Sequence, residues 1–551
     1  MIKILAGAAI FAALLPPVHS IWPVPQQIST GSDVLFIEKS LKVTYNGEEL
    51  PWTSGKCKDK SVGKQFILQR RDVNNSAPSI DSEEIVRRAI RRTYDAIFSH
   101  GLEPWMLKEP EAPGRDGKRT VSSLTITQTG KDQAASKVGA LFFKDEAQRT
   151  FYTTKALVSI YDYPKFAHRG MLLDLARSWY PIPDVKRTID GLAMSKMNVI
   201  HLHMTDTQSW PLEIPALPEL AQKGAFAPGL TYSPEEIQDL QEYAAERGVQ
   251  AILEIDMPGH VGVAEAYPDL SVAYNAVPYN KYCAEPPCGS LLLNNTEVEG
   301  FIKTLFDDLL PRLANYTIYF HTGGDEYKAE NSLLDPALKT KDKSILQPML
   351  QRFLDYSNEQ VRKHGFTRII WDDLIDGWNA TIGNDTIIQS WHGKDGLKKL
   401  AHAGYKIIDS NSDYLPCGRG GYVDYRDENL AARYPFTDWC APTKNWRVIY
   451  MHDSTEGMSK EAAKNVLGGE VAVWTETIDP TILDSIAWPR AAAAGEGWWS
   501  GRKDENGQKR SVWRARPRLA EMRERMLARG IRGSPVSTLF CGQHDLEDCT
   551  I

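Results

Sequence analysis

The fold of the larger part of the chain is decided by residues 170–203, which read GMLLDLARSWYPIPDVKRTIDGLAMSKMNVIHLH. Two short apolar runs, 170–175 and 198–203, stand on either side of a longer segment with a helical pattern. A strand, a helix of about ten or more residues and a second strand form the βαβ unit of a parallel sheet. The stretch therefore predicts two parallel strands joined by a helix.

The same alternation continues along the chain. Further apolar runs lie at 250–256, 317–321, 368–371, 386–391, 406–410 and 470–474. The segments between them have helical patterns, one of which begins with the capping box Ser233-Pro-Glu-Glu236. Eight strands over roughly 330 residues fit a (β/α)8 barrel. A doubly wound sheet would need a glycine-rich phosphate loop after an early strand, which the sequence lacks. We therefore predict an α/β fold with a TIM barrel over 166–500.

A smaller domain is predicted before the barrel, over residues 21–165. The alternating stretches 123–128 and 156–161 are typical of strands. A helical pattern begins around Ser82, which is a typical N-cap residue. These features predict an α+β domain, and no motif with a recognisable chemistry lies within it.

The last part of the chain, 501–551, is predicted to form a helix and a disulfide-closed tail. Its segment 502–532 holds 11 Lys+Arg against four Asp+Glu, so a patch for nucleic acid or anionic glycans is one interpretation. Apolar residues that recur near helical spacing favour a helix packed on the barrel instead. These residues are Leu519, Met522, Met526 and Leu527.

The composition excludes several classes of protein. The chain has 551 residues, of which 42% are hydrophobic and 25% are charged, so it is neither disordered, nor collagenous, nor a coiled coil. Lys+Arg number 64 against 71 Asp+Glu, a net charge of −7, which argues against a protein that binds a phosphate backbone. The 15 Trp and 22 Tyr include flat faces that would suit sugar rings.

The N-terminal residues have the pattern of a signal peptide. Lys3 precedes an apolar run at 4–15, and the small residue Ser20 follows at a suitable cleavage point. The run has 12 residues, whereas a membrane-spanning helix needs about 20. We therefore expect residues 1–20 to be a signal peptide, and we expect no membrane anchor.

Two further patterns are typical of an exported protein. Glycosylation sequons begin at Asn74, Asn294, Asn315, Asn379 and Asn384. Six of the seven cysteines fall into pairs that could close short loops as disulfides: Cys283/Cys288, Cys417/Cys440 and Cys541/Cys549. Cys57 would then be unpaired. No CxxC pair is present, which argues against a structural zinc site.

Polar and aromatic residues gather where the predicted strands end. In a TIM barrel the catalytic groups come from these C-terminal ends. The ends carry Asp174/Arg177, His203/Asp206, Asp256/His260, Asp325/Glu326, Trp371, Trp391, Tyr414 and Trp474/Glu476. Carboxylates together with one arginine and several large aromatic rings indicate a pocket for an uncharged, polyhydroxylated ligand.

The most specific motif is His321-Thr-Gly-Gly-Asp-Glu326. Neighbouring side chains on a regular strand point to opposite faces, but Gly323 and Gly324 allow an irregular backbone that could turn both carboxyls into one cavity. Glycosidases with a protein nucleophile need two carboxyls on either side of the scissile bond. Adjacent carboxyls better suit substrate assistance, in which the acetamido carbonyl of the sugar is the nucleophile.

These motifs together resemble a family 20 glycoside hydrolase, a secreted β-N-acetylhexosaminidase of eukaryotic, fungal type. The matching residues occur in the family's order along the whole barrel, and the start of the expected mature chain, Ile21-Trp-Pro-Val-Pro-Gln, is also similar. They are 168–174 with Arg177, 201–206, 256–260, 323–326, Trp371, Trp391, Tyr414 and 474–476.

The resemblance implies a role for each residue. Glu326 would be the general acid and later the general base, with a pKa raised by the enclosed pocket and nearby carboxylates. Asp325 would accept the acetamido N–H and stabilise the oxazolinium intermediate, and Tyr414 would donate to the acetamido oxygen. The residues that would bind the sugar are Arg177, Trp371, Trp391, Trp474 and Glu476. The residues that would form the polar support of the acid are Asp206, Asp256, His260 and His203.

The chain departs from the family pattern at one position. Many members carry Asp or Asn two residues after the tyrosine, where this chain has Tyr414-Leu-Pro416. Pro416 cannot supply a side-chain contact to the 4- and 6-hydroxyls, so the preference between glucosamine and galactosamine ends is open.

Two rival functions are weighed against this interpretation. His201 and His203 on one strand face could bind a metal, as in amidohydrolase barrels, but the eighth strand ends in Trp474 and Glu476 rather than in further clear ligands, and metal content would decide. A non-catalytic sugar-binding protein would not need both Asp325 and Glu326.

We therefore predict an exo-acting, retaining β-N-acetylhexosaminidase without metal or organic cofactor. Its expected substrates are oligosaccharides or glycoconjugates, such as chitooligosaccharides, and it is not expected to bind nucleic acid. We expect it to be secreted, with a lysosome or vacuole as the alternative. The resemblance is compatible with a homodimer, although no residue indicates one.

Overall fold

The protein is represented by a computed structural model. It describes residues 21–53, 82–99, 102, 120–121, 123–127, 143–145, 150–411, 414–417, 428–431, 440–504, 506–544 and 547–549. The predictions for the signal peptide 1–20, for Cys57 and for the sequon at Asn74 lie outside these residues.

The first part of the structure is a small α+β unit. Its elements are β1 (Gln27–Ile37), β2 (Lys42–Tyr45), β3 (Glu48–Leu50), α1 (Ser82–Phe98), β4 (Ser123–Ile126), β5 (Phe143–Asp145) and β6 (Thr150–Tyr161). Strands β1, β6 and β5 form one antiparallel sheet, and β3, β2 and β4 form a second, in which β2 and β4 are parallel. The core of this unit contains Val43, Ile90 and Ile97, because α1 turns its apolar face to the second sheet.

The barrel is formed by eight parallel strands. They are β7 (His168–Asp174), β8 (Val199–His203), β9 (Gln250–Glu254), β12 (Tyr319–His321), β13 (Thr367–Trp371), β14 (Ile387–Ser390), β15 (Lys406–Asp409) and β16 (Val466–Val473), with the short hairpin β10 (Ser271–Val272) and β11 (Ser290–Leu291) after β9. The barrel closes because β16 pairs with β7 and β9 pairs with β12. The predicted fold class is confirmed.

Helices connect the strands and follow the barrel. They are α2 (Ile182–Met194), α3 (Glu219–Gly224), α4 (Pro234–Ala245), α5 (Thr296–Leu313), α6 (Lys343–Lys363), α7 (Asp373–Asp376), α8 (Lys394–His402), α9 (Glu428–Ala431), α10 (Trp446–Met451), α11 (Lys460–Ala463), α12 (Leu483–Ala487), α13 (Arg490–Ser500), α14 (Val512–Leu527) and α15 (Leu539–Gln543). The predicted capping box at the start of α4 is confirmed, since Ser233 Oγ accepts from the Glu236 N–H and Glu236 accepts from the Ser233 N–H.

The interior of the barrel changes from apolar to polar along the strands. Within the first three residues of their strands, five aliphatic side chains pack together as one buried layer: Val199, Ile252, Ile369, Ile387 and Ile408. Two residues further along, the buried side chains are polar, and they include His201 and Glu254. Because strand residues two apart share a face, the C-terminal end of the barrel rests on a polar layer above an apolar one.

The C-terminal helix α14 packs on the barrel, as its apolar spacing predicted. Leu519, Met522 and Met526 are buried in the main core. The Arg518 guanidinium, also buried, forms two hydrogen bonds of 2.6 and 2.7 Å to the Glu496 carboxylate on α13. Part of the positive charge of this segment is therefore paired with a carboxylate inside the molecule, which disfavours a nucleic-acid patch.

Three disulfides close loops in the structure. They join Cys283 to Cys288, Cys417 to Cys440 and Cys541 to Cys549, as predicted. Within the described part of the chain, every helix is too short or too polar to cross a lipid bilayer.

Candidate active site

A cluster of aromatic rings lies at the C-terminal end of the barrel. Trp371, Trp391, Tyr414 and Trp474 pack together around Leu172 and Ala472. The rings of Trp371 and Trp474 are 6.0 Å apart, and those of Tyr414 and Trp474 are 6.2 Å apart. The structure thus brings together all four aromatic residues that the sequence singled out.

Two of these rings are held by carboxylates. The Trp371 side chain is buried, and its indole N–H donates to Glu254 at 2.8 Å. Trp371 therefore lies at the floor of the pocket, directly above the polar layer. Trp391 is half-buried and donates its indole N–H to Asp373 at 2.7 Å. A ring that is fixed by its N–H presents its apolar face in one orientation.

The turn after β12 directs both neighbouring carboxyls to the pocket. Gly323 and Gly324 have φ angles of +62° and +101°, a region that favours glycine. A Cβ on Gly323 would come within 1.7 Å of Asp256 Oδ1, and that oxygen accepts the Gly324 N–H at 2.7 Å. The close approach to Asp256 therefore requires glycine at 323, and the predicted irregular backbone is confirmed.

Glu326 and its partner His260 both have backbone conformations that L-residues rarely adopt. Their φ angles are +52° and +49°. The Glu326 N–H donates to Asp373 Oδ1 at 3.2 Å, which helps to hold this conformation. Strained non-glycine residues persist where the surrounding structure fixes them, and they concentrate at functional sites.

A chain of alternating acids and imidazoles starts at Glu326. Its carboxylate lies 3.0 Å from His260 Nε2, and His260 Nδ1 lies 3.1 Å from Asp206 Oδ2. The same Asp206 oxygen lies 2.9 Å from His203 Nε2, and His203 Nδ1 lies 2.7 Å from Glu254. The structure therefore joins Asp206, His260 and His203 to Glu326, as the predicted polar support requires.

The electrostatics of Glu326 differ from the prediction. Burial raises its pKa, but the hydrogen bond and charge of His260, with Arg177 and Lys328 nearby, outweigh burial and lower the pKa below its ordinary value. Burial also disfavours a charged His260, yet Asp206 and Asp325 raise its pKa well above the ordinary value. The prediction of a raised pKa for Glu326 is wrong, because a cation rather than another carboxylate contacts it most closely.

Asp325 has the opposite electrostatic environment. Burial and the neighbouring Asp256 carboxyl raise the pKa of Asp325 well above its ordinary value. Burial also raises the pKa of Asp256, to about 7. Two buried carboxyls in contact favour one shared proton. Asp325 and Glu326 are therefore neighbours with pKa shifts of opposite sign.

The two carboxyls and the imidazole lie close together. One oxygen each of Asp325 and Glu326 and one ring nitrogen of His260 lie within 4.8 Å of one another. The Asp325 Oδ1 atom is buried, whereas the Glu326 side chain is 30% exposed. One carboxyl of the pair therefore faces the enclosed part of the pocket, and the other faces its opening.

Arg177 lies beside the chain of acids and imidazoles, close to His260 and Asp206. Its guanidinium lies 2.9 Å from Asp206 and 3.6 Å from Asp174, and it stacks on the Trp474 ring with 5.2 Å to the centroid. Glu476 adjoins this group, and burial together with the charge of Glu285 raises the pKa of Glu476 to about 8. All twelve predicted residues of the pocket thus lie in one connected site.

Two further pocket residues escaped the sequence reasoning. Glu285 is buried and contacts Arg177, and Asp373 contacts both Trp391 and the Glu326 backbone. Asp373 follows the end of a predicted strand by two residues, a signal that could have identified it. Glu285 lies in a loop far from any strand end, and only the short cysteine spacing around it marks the segment.

Several acid–histidine groups could offer ligands to a metal. They are His201/Glu254/His321 inside the barrel, and Asp206/His260/Glu285, His260/Asp325/Glu326 and Asp372/Asp373/His392 around the pocket. In the first group Glu254 already accepts from His203 and Trp371, and His201 Nδ1 lies 3.0 Å from Glu470. The acids and histidines of this first group therefore compensate one another's charge.

Asp174, Arg177 and Glu476 lie where β7 and β16 end side by side.

Comparison with known proteins assigns the chain to a family. Residues 166–502 match the description "Glycosyl hydrolase family 20, catalytic domain", and residues 21–147 match "beta-acetyl hexosaminidase like". The chain belongs to glycosyl hydrolase family 20. The predicted resemblance is confirmed, and this family 20 protein is a glycoside hydrolase.

Similar proteins include a "Beta-hexosaminidase" of Arthroderma benhamiae, 34% identical over 95% of this chain and 96% of its own. A "Chitooligosaccharidolytic beta-N-acetylglucosaminidase" of Bombyx mori is 32% identical over 70% of this chain and 65% of its own. Among solved structures, a family 20 exo-β-N-acetylglucosaminidase from Vibrio harveyi, in complex with N-acetylglucosamine, has a TM-score of 0.70 at 21% identity, covering 96% of this chain and 80% of that one. That likeness shows the shared family 20 fold.

Proposed function

We propose that this family 20 enzyme is an exo-β-N-acetylhexosaminidase. It would hydrolyse terminal, non-reducing β-linked N-acetylglucosamine or N-acetylgalactosamine with retention, through an oxazolinium intermediate. The observation that carries the proposal is the pair Asp325 and Glu326, two adjacent carboxyls in one pocket with opposite pKa shifts. One carboxyl can serve the leaving oxygen while its neighbour serves another group of the same sugar.

In the first step Glu326 protonates the glycosidic oxygen and the C1–O bond breaks. The acetamido carbonyl oxygen of the sugar attacks C1 from the other face and forms the oxazolinium ion. His260 and Glu326 together hold the proton for this step, since their atoms are 3.0 Å apart and the pKa of His260 is raised. A proton on the imidazole can reach the leaving oxygen through the Glu326 carboxyl.

Asp325 would orient the acetamido group. A carboxylate beside the acetamido N–H accepts its hydrogen bond and stabilises the positive charge that develops on the ring. Asp256 would assist, because the pKa values of both carboxyls are raised and the one proton that they share would move to Asp256 when Asp325 accepts from the acetamido N–H. Tyr414 would donate to the acetamido oxygen, and Trp371, Trp391 and Trp474 would enclose the acetyl group and the sugar ring.

In the second step water attacks C1 on the face from which the leaving group departed. Glu326, now deprotonated, takes the proton of this water, and the oxazolinium C1–O bond breaks. Two inversions at C1 give net retention. Arg177 and Glu476 would hold the hydroxyls of the terminal sugar throughout, which keeps C1 next to Glu326 in both steps.

The proposal is tested by release of a chromogenic aglycone from its β-N-acetylglucosaminide. We expect hydrolysis by the wild type, loss of about 10³-fold or more in kcat for Glu326→Gln, and no turnover of the corresponding 2-hydroxy glucoside. Proton NMR of the first product should show the β-anomer. A folded wild type that hydrolyses neither substrate, or both equally well, would contradict the proposed function. Measuring the metal content of the same preparation distinguishes the proposed hexosaminidase from a metal-dependent amidohydrolase.

The substrate class and the location are proposed on separate grounds. Chitooligosaccharides are the proposed substrates, supported by the chitooligosaccharidolytic activity for which the Bombyx mori relative is named. Export is supported by the three disulfides, and glycosylation by the exposed sequon asparagines. Those exposed in the described residues are Asn294, Asn315, Asn379 and Asn384.

A further inference from the structure

The loop between Cys283 and Cys288 is fixed at the rim of the pocket. Its disulfide closes a segment of six residues, Cys283-Ala-Glu-Pro-Pro-Cys288. The Lys328 ammonium donates to the carbonyls of Cys283 at 2.6 Å and of Asn280 at 2.9 Å, and the Gln208 amide donates to the Pro286 carbonyl at 3.2 Å. The loop is therefore attached to the segments that follow Glu326 and Asp206.

The same loop has an apolar anchor. Cys288 is buried and packs with Val272, Ala273 and Tyr282 beside the small hairpin. A loop with a covalent closure, two side-chain hydrogen bonds to its own carbonyls and a buried base keeps its position. Any side chain that it presents to the pocket is consequently held in place before a ligand binds.

The side chain presented to the pocket is Glu285. It is 6% exposed, and its Oε1 atom lies 2.8 Å from Arg177 Nε and 2.5 Å from Nη2. It also lies in one group with Asp206 and His260, whose ligand atoms are within 4.8 Å of one another. The hydrogen bond and the ion pair that this carboxyl forms with Arg177 are both made through Oε1.

Arg177 is surrounded by more carboxyl groups than its single positive charge can neutralise. One guanidinium meets the carboxyls of Asp174, Asp206 and Glu285, with Glu476 beside them. Asp206 alone would neutralise Arg177, so charge pairing does not account for Glu285. A carboxylate that pairs through Oε1 can accept a further hydrogen bond at Oε2 from a donor in the pocket. A sugar ring held by Arg177 would bring several hydroxyl donors close to this carboxyl.

We propose that Glu285 is a specificity-determining residue of this enzyme. Its Oε2 accepts a hydrogen bond from one hydroxyl of the terminal sugar, while Arg177 donates to the oxygens of that sugar. The inference rests on the proposed function and adds a recognition group that comes from a disulfide-closed loop rather than from a strand end. The contact distinguishes sugars that present a hydroxyl at this point from sugars that do not.

The test combines Glu285→Gln with substrates that lack one hydroxyl. Aryl β-N-acetylglucosaminides without the 3-, 4- or 6-hydroxyl are compared with the complete sugar. We expect Glu285→Gln to lower kcat/KM on the complete sugar by about tenfold, as for a hydrogen bond to a charged group. For one of the three deoxy sugars the wild type should lose a similar factor, and the substitution should then cost nothing more.

Controls separate recognition from a structural role. Glu265→Gln removes an exposed carboxyl, bonded to Tyr274, in the segment before the small hairpin, and it should leave kcat/KM unchanged on every substrate. Glu285→Asp keeps the negative charge on a shorter side chain. It should lower kcat/KM by a smaller factor on the complete sugar and, like Glu285→Gln, cost nothing more on the same deoxy sugar. This variant provides the test if Glu285→Gln folds poorly. Equal losses on all deoxy sugars, or none on any, would overturn the inference while the wild-type activity upholds the proposed function.

Discussion

Glu326 titrates under the influence of one imidazole. His260 lies 3.0 Å from its carboxylate and lowers its pKa, while the carboxylates behind His260 keep that imidazole protonated. The two groups therefore hold one proton over the pH range between their pKa values. Kinetically, a proton on His260 with ionised Glu326 is equivalent to neutral His260 with protonated Glu326.

This arrangement predicts the pH dependence of a His260→Asn variant. Without the cation the pKa of Glu326 rises, but the proton is lost once the pH exceeds that single pKa instead of the raised pKa of His260. The basic limb of the kcat/KM profile should move to lower pH by about one unit or more. Rates across pH on an aryl glycoside measure it. An aglycone that leaves without protonation is the control, and an unmoved basic limb would show that His260 does not hold the proton.

The turn after β12 depends on the absence of a Cβ atom at Gly323. In Gly323→Ala the new Cβ would overlap Asp256, at 1.7 Å from Oδ1, and the backbone would have to leave its positive φ. We expect kcat to fall on the order of 10²-fold, because a displacement of about 1 Å misplaces both carboxyls. The comparison variant is Gly300→Ala in α5, whose Cβ meets open space. It should keep full activity and raise the free energy of unfolding by up to about 1 kcal/mol.

At the scale of elements, the strands were more predictable than the site they support. All eight barrel strands coincide with apolar runs of the sequence, although β12 spans only Tyr319–His321 of the expected 317–321. Strand ends identified the pocket residues because barrel topology brings those ends together. Glu285 could not be identified in this way, since its position depends on contacts with Lys328 and Gln208 that lie 40 residues or more away in sequence.

The direction of the pKa shift of Glu326 could likewise not be predicted from the sequence. The sequence indicates which carboxyls gather in the pocket, but not which neighbour comes nearest to each one. Asp325 meets Asp256 and Glu326 meets His260 only because the turn at Gly323 sends adjacent side chains in different directions. Pairwise electrostatics of this kind depend on distances that no sequence pattern encodes.

At the scale of the whole molecule, one buried ion pair joins distant parts of the chain. Glu496 on α13 accepts from Arg518 on α14, from the Tyr450 hydroxyl at 2.8 Å and from the Val24 N–H at 2.9 Å. The Trp22 indole N–H donates to Ala492 of the same helix at 2.8 Å. The beginning of the described chain and its last long helix therefore meet on α13.

This junction predicts the effect of Arg518→Met. The substitution leaves the Glu496 carboxylate buried without its cation, so we expect the free energy of unfolding to fall by about 3–5 kcal/mol. Thermal unfolding measures the loss, and the double variant Arg518→Met/Glu496→Gln should recover part of it. Lys509→Met, which removes an exposed charge, is the matched control. Equal stability of Arg518→Met and the wild type would exclude this role for the pair.

In the proposed mechanism, the unequal exposure of Arg177 and Glu326 would set the route by which the aglycone leaves. The Arg177 side chain is 6% exposed, whereas that of Glu326 is 30% exposed. The severed aglycone would diffuse away past Glu326, while the sugar held by the buried Arg177 would stay behind. An open exit on this side also admits other alcohols in place of water, so the enzyme should transfer its sugar to added acceptors, and its tolerance for the attached group should be broad.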